Sequence, residues 1–423
     1  MIRHGRGTER GVPGSVIVGV LLALIAGSVT AQSAVAAAVP CFEPEAKLGV
    51  GTDAPSKFAA TAPNDAVAVG YDPDNYSSAA AVWVTRDRGT SWNRICTSTR
   101  AFHNRSGGMV VVDVAAAPNG VVVAVGFQGG YTDPVGRVPQ AWRSPDAGLS
   151  WERVDIPKRL YERGELANPE MSAVAWTGKE FLAAGVDGDK PQRLAVWASH
   201  DGKRWERVGG DAAAGSTVRS LQEVEGIAVN DAGDVVIAGE FGRLLGTRHV
   251  VFWVRPTGER SWKRASVPGL RDSHPSKVTG VVVSGGDFVA AGYDQAGIGA
   301  QAFTSTDGGA TWISSTEWSG DGRFAPEGIA SSPDAGVVVI GTRCEADAPS
   351  DRCFTELWHR GPDGAWVSVP SVPSSDAISP TAIGVALGPP ATYYLGGTVF
   401  FSREPGPHAT SDNTDPVFHV GSL

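Results

Sequence analysis

Apolar residues along this chain come in short runs, most of them closed by a glycine. The runs are Ala66–Gly70, Val121–Gly126, Phe181–Gly185, Val235–Gly239, Phe288–Gly292, Val337–Gly341 and Tyr393–Gly397. Runs this short, rich in β-branched residues and bounded by turn formers, predict buried strands rather than helices. A second strand candidate precedes each run after the first: Val110–Ala115, Ser172–Trp176, Gly226–Val229, Gly280–Val283, Gly328–Ser331 and Ile383–Ala386, with Lys57–Thr61 as a weaker equivalent at the start. Pro118-Asn119-Gly120 and Asp231-Ala232-Gly233-Asp234 supply the hairpin turns between them.

Tryptophan shows that these strand pairs repeat. Trp92, Trp151, Trp205, Trp262, Trp312 and Trp366 recur at intervals of 50 to 59 residues. Trp83, Trp142, Trp197, Trp253, Phe303 and Trp358 precede them by eight or nine positions, so 11 of the 13 Trp occupy two phases of one period. Four short antiparallel strands in a unit of roughly 55 residues describe the blade of a β-propeller. The expected fold is therefore all-β, a propeller of four-stranded antiparallel blades over residues 37–423. Seven blades are favoured, the mature N-terminal segment Phe42–Val50 supplying the missing outer strand of the last blade; six blades are the alternative. The Trp side chains are expected to wedge between neighbouring sheets.

Between the paired aromatics lies a turn. It reads Thr85-Arg86-Asp87-Arg88-Gly89-Thr90-Ser91-Trp92, Ser144-Pro145-Asp146-Ala147-Gly148-Leu149-Ser150-Trp151 and Ser305-Thr306-Asp307-Gly308-Gly309-Ala310-Thr311-Trp312. Shorter copies carry Asp201 with Trp205 and Asp363 with Trp366, and the copy ending in Trp262 has lost its Asp. Asp can bind backbone N–H groups of such a turn while Gly takes the positive-φ position. The pattern Ser/Thr-x-Asp-x-Gly-x-Thr/Ser-Trp resembles the Asp box of the bacterial neuraminidase (BNR) repeat family, over most of the mature chain. The resemblance implies a sialidase-like propeller with structural boxes. Sialidases of that family use an arginine cluster, a Tyr nucleophile with a Glu, and a Phe/Tyr-Arg-Ile-Pro motif. Here the nearest fragment is Val154-Asp155-Ile156-Pro157, with Asp where Arg belongs, so no sialidase role can be carried over residue by residue.

Composition narrows the setting. The chain has 423 residues, 54 Gly, 28 Pro and only 19% charged residues. The formal net charge is −9, which lacks the basic footprint of a nucleic-acid binder. Arg3, Arg6 and Arg10, an apolar run from Val16 to Ala26 and small residues up to Ala36 read as a secretory signal peptide over residues 1–36. Secretion is thus expected, to the exterior or the cell surface, with membrane attachment only if that segment stays uncleaved. In that setting four cysteines suggest two disulfides. Cys344 and Cys353 would close one loop, and Cys41 and Cys96 would form the other pair; three connectivities are possible in principle.

Candidate chemistry is sparse. There is no HExxH, GxSxG or Walker A motif, no cofactor signature and no metal-ligand spacing among the eight His. The oxygen-rich stretch Asp72-Pro73-Asp74-Asn75-Tyr76-Ser77 reads as a solvated turn rather than a Ca²⁺ loop. Function is expected on the face carrying the long connections from second to third and fourth to first strands. Glu225 and Glu327 each precede the Gly that opens an inner strand, and Glu170 lies near the same level. These carboxylates are catalytic candidates for glycoside hydrolysis, or solvated strand ends. Trp318, Arg323, Arg271, Arg219 and Tyr161 are candidate ligand contacts, Trp318 as an exposed stacking aromatic or a packed loop anchor. The leading expectation is a monomeric binding or scaffold module for a protein or glycan. A glycoside hydrolase is the alternative, and an assembly factor a third reading.

Overall fold

The computed structural model describes residues 54–422 apart from 72–79, 97–100, 103–107, 130–136, 162–167, 189–192, 210–219, 244–247, 266, 269–275, 295–298, 319–321, 345–352, 362–363, 370–377, 386–389 and 401–413. The expected signal peptide and the Asp72–Ser77 stretch lie outside the described residues. So do most of the long connecting loops.

Six sheets each have four strands that follow one another in sequence. The first is β1 (Ala54–Ala62), β2 (Asp65–Tyr71), β3 (Ala80–Thr85) and β4 (Asn93–Arg94); the second is β5 (Met109–Ala116), β6 (Val122–Gln128), β7 (Val138–Ser144) and β8 (Glu152–Val154). The third is β9 (Glu170–Trp176), β10 (Phe181–Asp187), β11 (Arg193–Ser199) and β12 (Glu206–Gly209). The fourth is β13 (Ser220–Val229), β14 (Val235–Arg243), β15 (Arg248–Arg255) and β16 (Lys263–Arg264). The fifth is β17 (Ser276–Ser284), β18 (Asp287–Asp294), β19 (Gly299–Ser305) and β20 (Ile313–Ser315). The sixth is β21 (Arg323–Ser332), β22 (Gly336–Cys344), β23 (Cys353–Arg360) and β24 (Trp366–Val369). A last sheet has three strands, β25 (Ile378–Val385), β26 (Thr392–Phe400) and β27 (Thr414–Ser422).

The chain is thus an all-β propeller of antiparallel blades. The expected count of seven four-stranded blades is corrected to six, with a three-stranded sheet after them. The last repeat has no box tryptophan and no fourth strand of its own among the described residues, and Phe42–Val50 lies outside them. The inner strands β1, β5, β9, β13, β17, β21 and β25 pack each against the next, and β25 packs against β1. Among the described residues no helix is long and apolar enough to cross a membrane.

One device recurs in every inner strand. The pairing with the second strand skips a single residue: Ser56, Val112, Ser172, Glu225, Thr279, Glu327 and Thr381. Such a β-bulge bends the strand and re-aims its side chains. It also explains why the apolar runs end in glycine. A Cβ on Gly126, Gly185, Gly239, Gly292 or Gly341 would sit 1.9–2.2 Å from the carbonyl oxygen of Val110, Glu170, Glu223, Lys277 or Ala325, two residues before the bulge.

The box turns are built as their residue types require. Asp146 Oδ1 accepts from Ser144 Oγ and from the Ser150 amide, both at 2.8 Å, while the Gly148 amide donates to Ser144 Oγ at 2.8 Å. Asp87 and Asp307 make the same set. Asp201 accepts from the amides of Lys203 and Arg204, both at 2.8 Å. Partial burial pushes the carboxyls of Asp87, Asp307 and Asp201 up, but the hydrogen bonds outweigh it: Asp87 and Asp307 lie below the usual range, and Asp201 falls to about 2. In the copy without its own Asp, the Thr257 amide donates to Asp234 of the β13–β14 turn at 2.8 Å. Asp363 lies outside the described residues.

Each box tryptophan packs toward the sheet before its own. Trp312 is fully buried, stacks on Phe252 with centroids 3.7 Å apart, and donates from Nε1 to the Gly309 carbonyl at 2.9 Å. Trp205 is buried against the second sheet, and the partly buried Trp151, Trp262 and Trp366 pack into the first, third and fifth. Trp92, also partly buried, meets Tyr394 of the three-stranded sheet edge-on at 5.6 Å. The wedge expected from the spacing is the observed packing. Arginines tie neighbouring repeats: Arg86 donates to the Ala147 carbonyl at 2.8 Å, Arg143 to that of Asp201 at 2.8 Å, and Arg88 to that of Pro390, just before β26, at 2.6 Å.

Candidate functional site: the charged mouth of the central channel

The inner strands enclose a cavity of about 420 Å³ lined by a segment from each of the seven sheets. Its wall is mostly Ala, Val, Ile and Gly, and its charged residues are Lys57, Asp113 and Glu225. Small residues let the strands close in: a Cβ on Gly226 would lie 3.1 Å from the Val281 amide nitrogen, and one on Gly384 only 2.5 Å from Phe58 Cβ. Asp113 joins two strands by accepting from the amides of Val114 and Val174, both at 2.8 Å. Burial pushes its carboxyl up, against the opposing pull of Lys57.

At the start of the inner strands the bulges gather charge. Glu225 is itself the bulged residue of β13, and Glu327 holds the same position in β21. Glu223, two residues upstream of Glu225, pairs in register with Glu240 on β14. One carboxylate oxygen from each of Glu223, Glu225 and Glu240 lies within 4.8 Å of the others, and among the described residues this trio is the group that could hold a metal ion. Arg248 on β15 places Nη1 2.6 Å from Glu223 and 3.7 Å from Glu240. Glu170 at the start of β9 is paired with Arg137 and accepts from Ser172 Oγ at 3.3 Å. The Arg137 guanidinium lies 3.9 Å from the centre of the Phe127 ring.

Crowding of like charge in a half-dry site moves these groups together. Burial, then Glu225 and Glu223, push Glu240 up to about 7, against Lys277 and Arg248. Burial also raises Glu225 and Glu170, the first against Lys277 and Lys57, the second against its Arg137 partner. Glu327 stands exposed at the rim and is raised by partial burial against Lys277. Burial works to lower Lys277, but Glu225, Tyr293, Glu240 and Glu327 together hold it above the usual lysine range. Lys277 is therefore the positive hub between the carboxylates of the fourth and sixth sheets.

Sequence reasoning found part of this cluster. Glu225 and Glu327 are equivalent, as expected, whereas Glu170 corresponds to Glu223, two residues closer to the rim. Glu223, Glu240, Arg248, Lys277 and Arg137 were missed. One signal was available: the residue after the run-closing glycine is Glu240 in one repeat and uncharged in the other six. Of the two readings of Trp318, exposed stacking aromatic and packed loop anchor, the second is the one observed. Trp318 is buried (4% exposed), edge-on to Trp366 at 5.0 Å and to Phe324 at 5.8 Å, with its carbonyl accepting from Arg343. Its loop folds back onto the sheet, and the indole serves as an anchor. Tyr161 packs partly buried against the core between the second and third sheets, and Arg323 is exposed at the start of β21. Arg219 and Arg271 lie outside the described residues. Cys344 and Cys353 are cross-strand partners in register, and Cys96 is buried after β4 while Cys41 lies outside the described residues.

The opposite face holds a depression of about 500 Å³ between box and hairpin turns. It is larger than the channel cavity; within it Thr177 Oγ1 donates to the Glu180 carbonyl at 3.0 Å, and Asn230 Nδ2 to Asp234 at 3.1 Å.

No protein-family profile matches the chain, and no curated protein matches it. Many solved structures share its fold. YCF48 bound to D1 peptide is similar with a TM-score of 0.50 at 12% identity, over 87% of this chain and 100% of that one. A PL25 ulvan lyase bound to -[GlcA(1-4)Rha3S]- gives 0.52 at 10% identity, over 91% and 93%. Trypanosoma rangeli sialidase in complex with sialic acid gives 0.48 at 14% identity, over 75% and 55%. At such identities the likeness shows the β-propeller alone.

Proposed function

We propose that the protein is a secreted or cell-surface propeller that binds a protein or glycan at its loop-rich face. The observation that carries this reading is the internal pairing of charge at the channel mouth. Arg137 is engaged by Glu170 and Arg248 by Glu223, so these guanidinium groups do not converge on an empty anion pocket as sialoside cleavage would need. What remains is a ring of mixed charge with Glu327 exposed at its rim, suited to polar contacts with a hydroxyl-rich or cationic surface.

A hydrolase is the second reading, favoured by carboxylates within 4.8 Å of one another with Glu240 raised to about 7. Retaining glycosidases hold their two carboxyls roughly 5 Å apart, one of them protonated. Propellers host both roles, and fold does not choose between them. The finer architecture belongs to the same reading: an Asp-box repeat propeller whose segment Phe42–Val50 completes the last sheet, stapled by Cys41–Cys96 and Cys344–Cys353. Mature protein on a glycan array, beside a fluorogenic sialoside assay, tests it. Selective capture without turnover supports binding; turnover abolished by Glu225→Gln or Glu240→Gln replaces it with the hydrolase.

A further inference from the structure

Glu240 is 3% exposed, and its Oε1 has no hydrogen-bond partner. A buried carboxylate oxygen without a donor is costly, and sites that keep one commonly hold a ligand. The same side chain belongs to the trio in which Glu223, Glu225 and Glu240 bring one oxygen each within 4.8 Å of the others. Two of the three carboxylates meet Arg248 Nη1, at 2.6 Å from Glu223 and 3.7 Å from Glu240, and Lys277 is the further cation facing Glu225 and Glu240.

We infer that Glu223, Glu225 and Glu240 form a divalent-cation site suited to Ca²⁺. The inference rests on this geometry and not on the binding function argued above. Ca²⁺ takes oxygen ligands at about 2.3–2.6 Å, so oxygens on opposite sides of it stand about 5 Å apart. The oxygens of the trio, within 4.8 Å of one another, match that span. Mg²⁺, at about 2.0–2.1 Å, would require a tighter set. Alternation along β13 puts Glu223 and Glu225 on one face, and register supplies Glu240 from the neighbouring strand. Glu223 is 40% exposed, which gives the ion a path from solvent and leaves places for water ligands. Arg248 is the internal competitor, a fixed cation covering part of the site.

The test is thermal unfolding and calorimetric titration of the full mature chain, stripped with EDTA and titrated with CaCl₂. Saturating Ca²⁺ is expected to raise Tm by about 3 °C or more, with a smaller shift from MgCl₂. Glu240→Gln removes the shift, while its metal-free form melts no lower than wild type because a crowded charge is gone. Arg248→Gln raises Ca²⁺ affinity about tenfold. An unchanged wild-type Tm overturns the inference, as does an equal shift in Glu240→Gln. Weaker Ca²⁺ binding in Arg248→Gln overturns the competitor role.

Discussion

Replacing Trp312 by Ala removes an indole that fills the gap between the fourth and fifth sheets. The ring is fully buried and lies nearly parallel to Phe252, at 8° and 3.7 Å. Burying about 200 Å² of aromatic surface at about 25 cal/mol per Å² contributes about 5 kcal/mol. Alanine recovers little of it, because Phe252, Phe303 and Phe288 are held in their own sheets and cannot collapse into the space. The Nε1 bond to the Gly309 carbonyl adds about 1 kcal/mol. Burial counted against an extended chain is an upper estimate, so the expected loss is about 4–5 kcal/mol, at the upper end for aromatic truncations. Trp312→Phe keeps the stacked ring and loses about 2 kcal/mol. Trp92→Ala, at a partly buried wedge, costs less than Trp312→Ala. Urea unfolding followed by far-UV circular dichroism measures all three. A loss below about 1 kcal/mol for Trp312→Ala, or a larger loss for Trp92→Ala, refutes the wedge argument.

Gly239→Ala places a Cβ 2.0 Å from the Glu223 carbonyl; it is expected to cost more than about 2 kcal/mol in urea unfolding, and to abolish any Ca²⁺ shift by displacing the bulge. Glu240, at about 7 folded against 4.5 unfolded, binds its proton more tightly in the native state. Metal-free stability therefore falls as pH rises from about 4.5 through about 7, by at most about 3 kcal/mol, and Glu240→Gln flattens that limb in pH-dependent unfolding. Asp201 runs the other way: its folded value of about 2 against 3.8 gives stability above pH 3.8 that is lost as pH falls toward 2, and Asp201→Asn removes that acid limb. Non-reducing peptide mapping of secreted protein is expected to yield Cys344–Cys353 and Cys41–Cys96; free thiols contradict the extracellular reading.

Much of the fold was legible because its cause is periodic. Trp92, Trp151, Trp205, Trp262, Trp312 and Trp366 recur since each sheet needs the same wedge, and the run-closing glycines recur since each inner strand carries the same bulge. The blade count was harder, because the final repeat departs from the period where β27 has no box after it. Glu225 and Glu327 were legible as equivalent positions of one motif. Their neighbours were not: Lys277 reaches them from the fifth sheet, while Glu240 and Arg248 come from β14 and β15. Register and inter-sheet packing decide those meetings, and linear spacing carries neither. For Trp318, outside the two Trp phases, spacing left exposure and a packed anchor both open, and contact with Phe324 and Trp366 decides for the anchor.

The central claim is that recognition belongs to the channel mouth and not to the box-turn face. Surface plasmon resonance with the ligand selected on the glycan array compares wild type, Glu225→Gln with Glu327→Gln, and Glu180→Gln with Glu259→Gln on the opposite face. At least a tenfold loss of affinity is expected for the mouth pair and none for the opposite pair. Unchanged binding in the mouth pair, or loss confined to the opposite pair, would contradict the account.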